Sequence, residues 1–114
     1  GVHCSTVDRE GFDLADGEQL CLLASHQDQV MTMPPGATKI ASNDHCEFAG
    51  MTLGQHMLTF QGHPEFIPAY SREIMTFRRD MIGAERVAEG IASLEEREHE
   101  GGRIARWMLA FLRR

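Results

Sequence analysis

The sequence predicts an α/β fold: several strands of an open mixed sheet, followed by about three helices packed against it. Over the first two-thirds of the chain, short apolar or β-branched runs alternate with turn residues. From Pro68 onward the period changes, and apolar residues recur at helical spacing. No internal repeat or low-complexity linker divides the 114 residues, which suffice for one compact domain with a modest core.

The strands follow in order. Val2 to Val7 is β-branched and runs into the polar Asp8-Arg9-Glu10-Gly11, a strand and then a turn. Leu20 to Ser25 is a short apolar run suited to a strand covered on both faces. Pro34-Pro35-Gly36 breaks the chain, and Thr38 to Ser42 resumes it as a strand. Phe48 to Leu53 and Met57 to Gln61 flank Gly54-Gln55-His56, the pattern of a hairpin.

The helices come next. Tyr70, Ile74, Phe77 and Met81 share a helical stripe that starts near Pro68 and ends at Gly83. A second helix begins near Ala84 and aligns Val87, Ile91 and Leu94. Gly101-Gly102 separates it from a third, with Ile104, Trp107, Met108, Phe111 and Leu112 on its apolar face. Arg113 and Arg114 stand at its carboxyl end, where cations suit the helix dipole. Met75, Met81 and Met108 are expected to fill gaps in the core.

Composition bounds the partners. A formal charge of -6 and a pI near 5.4 argue against nucleic acid, which calls for a basic face. The acidic run Glu95, Glu96, Glu98 and Glu100 reads as a solvated helix face. No apolar stretch is long enough to span a bilayer, so no membrane partner is expected. The sequence opens on Gly1 and not Met, so it is expected to begin inside a longer reading frame or after processing. Cys4, Cys21 and Cys46 are an odd count without tight spacing. A disulfide scaffold is therefore not expected, reduced thiols and a cytoplasmic location are, and Cys21 reads as a small core residue.

The segment richest in chemistry runs from Leu58 to Phe66: an apolar strand delivers Gly62, and then His63 and Glu65 flank Pro64. Residues two apart on extended backbone point the same way, and Pro64 holds His63 extended. A carboxylate there can select the imidazole tautomer and support a positive ring, as an orienting acid does for a general base. Gly62 is expected to keep the approach to the imidazole open. On residue types alone, an incidental surface His and Glu at a strand end explains the segment equally well.

Ser25-His26-Gln27-Asp28-Gln29-Val30, then Met33 to Ala37, then Ile40 to Asp44, then Phe60-Gln61-Gly62-His63-Pro64-Glu65-Phe66 resemble the class I glutamine amidotransferases in order and spacing. The resemblance is to the branch similar to the GMP synthase glutaminase domain and covers about Val2 to Ile82. It implies a doubly wound, flavodoxin-like sheet of which residues 1–114 form the C-terminal part. It also implies a Cys-His-Glu triad that hydrolyses the side-chain amide of glutamine and supplies ammonia to an acceptor (synthetase) domain or subunit. In that scheme His63 is the base and acid, Glu65 orients it, and His26, Gln27 and Asp28 hold glutamine. No cofactor or metal is required, because thioester chemistry needs only thiolate, base and oxyanion donors.

Two departures stand out. Gln27 replaces the family's usual glycine. The Gly-x-Cys-x-Gly elbow that carries the nucleophile is absent from the sequence, and Cys4, Cys21 and Cys46 all lie in unrelated contexts. The expectation is that the nucleophile-bearing N-terminal half precedes Gly1 and that this chain alone is inactive. Without that half, exposed apolar surface predicts self-association. A γ-glutamyl hydrolase or peptidase of the same superfamily, or a non-catalytic binding module retaining the fold, are the alternatives.

Weaker signals resolve to bland readings. Ser25 and His26 are adjacent on extended backbone and face apart, which rules out a Ser-His-Asp triad with Asp28. The His3-Cys4 and His45-Cys46 pairs lack zinc-ligand spacing. His56 and His99 read as solvated.

Overall fold

The structure is a computed structural model and describes residues 1–9 and 13–113. In chain order the elements are β1 (Val2–Val7), β2 (Gln19–Leu23), β3 (Ala37–Ser42), β4 (Gly50–Leu53), β5 (Met57–Phe60), α1 (Pro68–Phe77), α2 (Arg79–Ile82), α3 (Ala84–Glu96) and α4 (Gly101–Leu112). The strands form one sheet in the order β2-β1-β3-β4-β5. The class is α/β, compatible with part of a flavodoxin-like fold. All of the pairings among the described strands are antiparallel. The reason is connectivity: a parallel pair needs a long crossover, and these strands are joined by turns and loops without an intervening helix. None of the described helices is long and apolar enough to cross a membrane.

Turn chemistry sets the strand ends. Pro35 and Gly36 occupy the middle of a turn closed by Ala37 N–H on Pro34 C=O at 3.1 Å, and Gly36 has φ +85°. A type II turn demands that positive φ at its third position. Gly54, at φ +57°, opens the three-residue loop between Leu53 and its cross-strand partner Met57. The turn expected over Asp8 to Gly11 is only partly visible, since Glu10 and Gly11 lie outside the described residues, as does Arg114.

The helices differ from expectation in three places. The stretch from Pro68 to Gly83 divides at Arg78 into α1 and α2, and Gly83, at φ +102°, separates α2 from α3. Residues 97–100 make the last break, and Gly101 opens α4 instead of preceding it. Tyr70, Phe77 and Met81 are exposed, and Ser71 and Met75 point inward instead. Packing on α3 decides that face: Gly90 of α3 leaves room for the Met75 sulfur, which a Cβ there would meet.

Val7, Leu14, Leu20, Leu22 and Ile40 form the core with Ile104 and Trp107 of α4. Side chains two apart on a strand share a face, so Leu20 and Leu22 both reach α4. Phe60 meets Trp107 edge-on at 5.5 Å. At the other end of β1, Val2 N–H donates to Ser93 Oγ at 2.9 Å and Arg97 Nε donates to Val2 C=O at 2.9 Å, which anchors α3.

The cysteine expectation is overturned. Cys4 and Cys21 face each other across the β1–β2 pair, 4.0 Å apart at Cα, and are joined in a disulfide. Spacing could not show this, because the partners are 17 residues apart and meet only through strand register. A loop of that length is expected to contribute about 3 kcal/mol. Urea melts with and without reductant measure it, and coincident midpoints would deny the bond any stabilising role.

Candidate functional site

After β5 the chain crosses to β2, where His63 N–H donates to Leu23 C=O at 2.7 Å. Gly62 makes the crossing feasible. A Cβ there would lie 2.8 Å from Leu22 Cβ, so its lack of a side chain serves backbone approach and not access to the imidazole. Beyond Gly62 the extended His-Pro step places His63 Nδ1 2.7 Å from Glu65 Oε1. The His63 ring stacks on Phe66 at 4.1 Å, and Phe66 in turn meets Tyr70 edge-on at 4.7 Å. Aromatic packing on one face and a carboxylate at the Nδ1 edge fix the imidazole plane.

The carboxylate is held ionised. Partial burial acts to raise the Glu65 pKa, but hydrogen bonds from His63 and from its own backbone N–H outweigh it, leaving the group below its ordinary value of 4.5. An ionised Glu65 accepts from Nδ1–H, so the tautomer assigned from this contact leaves Nε2 bare. No described residue hydrogen-bonds Nε2. His63 lines a solvent-open cleft of about 540 Å³, together with His26, Phe60, Gln61, Glu65 and Met108 among others. That volume suits a small ligand.

The segment expected to hold substrate meets this cleft in part. His26 lines it, with Nδ1–H donating to Asp28 C=O at 2.8 Å in a local turn. Gln27 turns to Met81, its Nε2 3.5 Å from the sulfur, and Asp28 contributes its carbonyl to His26. The structure therefore brings His26 to His63 and Glu65, and turns the Gln27 side chain elsewhere.

Two residues that pattern reading passed over organise the site. Gln61 Oε1 accepts from Val30 N–H at 2.8 Å, tying the loop after His26 to the strand that delivers His63. Its position inside the Gln-Gly-His-Pro-Glu segment was the available signal. Gln61→Met removes the acceptor at similar volume. The Val30 amide is then expected to exchange roughly 2- to 10-fold faster, one hydrogen bond's worth. Unchanged exchange would sever Gln61 from the loop. The other is His99, which is half-buried and bonded at both ring nitrogens, not solvated. Nothing local announces it.

Beside this cleft a smaller one is lined by His3, His26 and His45 among others. His3 and His45 lie 5.4 Å apart, and His3 is pushed down to about 4, first by burial and then by positive neighbours including His45 and His26. Among the described residues no group of three or more His, Cys, Asp or Glu side chains is arranged to hold a metal.

The chain is similar to several known proteins. Over 111 residues, 96% of the chain, it is 29% identical to a putative glutamine amidotransferase of Saccharomyces cerevisiae, covering 44% of that protein. Over 56 residues, 49% of the chain, it is 38% identical to gamma-glutamyl peptidase 3 of Arabidopsis thaliana, covering 21% of it. A 42-residue stretch, 36% of the chain, is 50% identical to GMP synthase of Herminiimonas arsenicoxydans, covering 8% of that protein. This is a class I glutamine amidotransferase-like chain. It spans less than half the length of these curated relatives. No protein-family model matches it, and no solved structure matches it significantly.

The amidotransferase-like chain presents no ready thiolate among its described residues. Cys4 and Cys21 are bonded to each other. Cys46 is 3% exposed, and burial raises its pKa despite an opposing hydrogen bond from the Phe48 backbone N–H. A buried neutral thiol is a poor nucleophile.

Proposed function

We propose that this chain supplies the general base and its orienting acid to a glutaminase half-reaction of the amidotransferase kind. The nucleophilic cysteine would come from sequence outside these 114 residues. The observation that carries the reading is the 2.7 Å His63 Nδ1–Glu65 contact between two residues that line the cleft. Bare Nε2 of His63 first takes the thiol proton. The thiolate attacks the side-chain amide carbon of glutamine, and the oxyanion collapses to a thioester as the Nε2–H so formed protonates the departing ammonia. Bare again, Nε2 takes a proton from water, which attacks the thioester and releases glutamate and the thiolate. Glu65 stabilises the imidazolium formed in between. His26, Gln27 and Asp28 are the proposed substrate segment, His26 from its place in the cleft. By analogy with GMP synthase, a synthetase domain or subunit is the proposed acceptor of the ammonia.

A second reading is favoured by the gamma-glutamyl peptidases among the relatives. It uses the same pair on a γ-glutamyl peptide and releases an amine instead of ammonia. Supplying the complete protein with glutamine and with a γ-glutamyl dipeptide, and measuring ammonia and free amine, separates the two. Release from neither substrate rejects both.

A further inference from the structure

We infer that His99 is a positioning residue for the His63–Glu65 pair, an inference that rests on the catalytic reading above. β2 lies at the sheet edge, and its outward backbone groups are met by the segment between α3 and α4. Cys21 N–H donates to Glu100 Oε1 at 2.9 Å, and Glu100 N–H donates to Cys21 C=O at 2.8 Å. One position before Glu100, His99 does something different: it links the edge to the catalytic turn. Leu23 N–H donates to His99 Nδ1 at 2.9 Å, and His99 Nε2 lies 3.2 Å from Pro64 C=O.

Pro64 is the residue between His63 and Glu65. With His63 N–H on Leu23 C=O, the contacts form a closed circuit: Leu23 to His63, through Pro64 to His99, and back to Leu23. Accepting at Nδ1 requires the Nε2–H tautomer, which then donates to Pro64 C=O. Neither bond is available to an apolar residue, and a lysine could make only one of them. Gly101 closes the junction, since a Cβ there would collide with Pro64 C=O and the His99 ring. The peptide between base and acid is thus held by an imidazole that is not among the residues lining either cleft. Errors of about 1 Å in aim can cost a base on the order of 100-fold in rate.

The test compares His99→Leu and His99→Gln with wild type in the complete protein. Glutamine retains one acceptor and one donor, whereas leucine has neither. Circular dichroism checks folding, ¹⁵N shifts of the His63 imidazole report its tautomer, and kinetics on glutamine give kcat and KM. His99→Leu is expected to lower kcat about 10- to 100-fold, with KM changed by less than about 3-fold. It should also shift His63 from the Nδ1–H tautomer towards Nε2–H. His99→Gln should restore kcat to within about 5-fold of wild type, with the wild-type tautomer. A folded His99→Leu variant with kcat within about 2-fold of wild type and unchanged imidazole shifts overturns the inference. If His99→Leu does not fold, His99→Gln decides: wild-type shifts and near-wild-type kcat support positioning, and a lost rate with unchanged shifts refutes it. If the wild-type protein turns over neither glutamine nor a γ-glutamyl peptide, the catalytic reading falls, and the imidazole shifts alone judge His99.

Discussion

His63→Ala in the complete protein is expected to lower glutamine turnover by about three to four orders of magnitude. The variant loses the only group proposed to move protons in both half-reactions. The fold should survive, because the His63 side chain is about one-third exposed and its backbone bond to Leu23 does not depend on the ring. Glu65→Gln should cost less, about 100-fold. An amide oxygen can still accept from Nδ1–H, but the charge that stabilises the imidazolium is gone. Steady-state ammonia release checks both, with circular dichroism as the fold control. Turnover by His63→Ala at the wild-type rate would remove this imidazole from the chemistry.

Ile104→Ala is expected to destabilise the chain by about 2–5 kcal/mol. Ile104 is fully buried where α4 meets Val7, Leu20, Leu22 and Ile40, and truncation leaves a cavity that the sheet cannot close. A domain stable by about 5–15 kcal/mol would lose a large share of that. Urea denaturation followed by Trp107 fluorescence reads the loss directly, because Trp107 lies in the same cluster. A change below about 1 kcal/mol would mean that α4 is not seated on the sheet as described. The effect should extend to the site, since α4 begins at Gly101, against the Pro64 carbonyl.

The α4 stripe illustrates how far pattern reading reaches. Its strongest apolar positions, Ile104 and Trp107, do face the core, but Leu112 is 78% exposed. Periodicity identifies one side of a helix and says little about where the sheet beneath it ends. On α1 the same reasoning picked the exposed side, because the neighbour there is α3, whose Gly90 receives Met75. The hydrophobic stripe of a short helix is a weak guide when the surface it packs on is small and shaped by one missing side chain.

The juxtaposition of His63 and Glu65 was legible in the chain because it is local: an extended His-Pro step sends side chains two apart to one side. The strands and their turns were legible for the same reason, since Pro35-Gly36 and Gly54 impose backbone angles at their own positions. Contacts between distant segments were not. The Cys4–Cys21 bond depends on β1–β2 register, and the Gln61–Val30 contact joins residues 31 apart. His99 reaches Leu23 across 76 residues. Close backbone approach at Gly62 and Gly101 gave glycine a purpose that composition could not reveal. Local covalent geometry is written in neighbouring residues, whereas register and packing arise only when the whole sheet and its helices have been assembled.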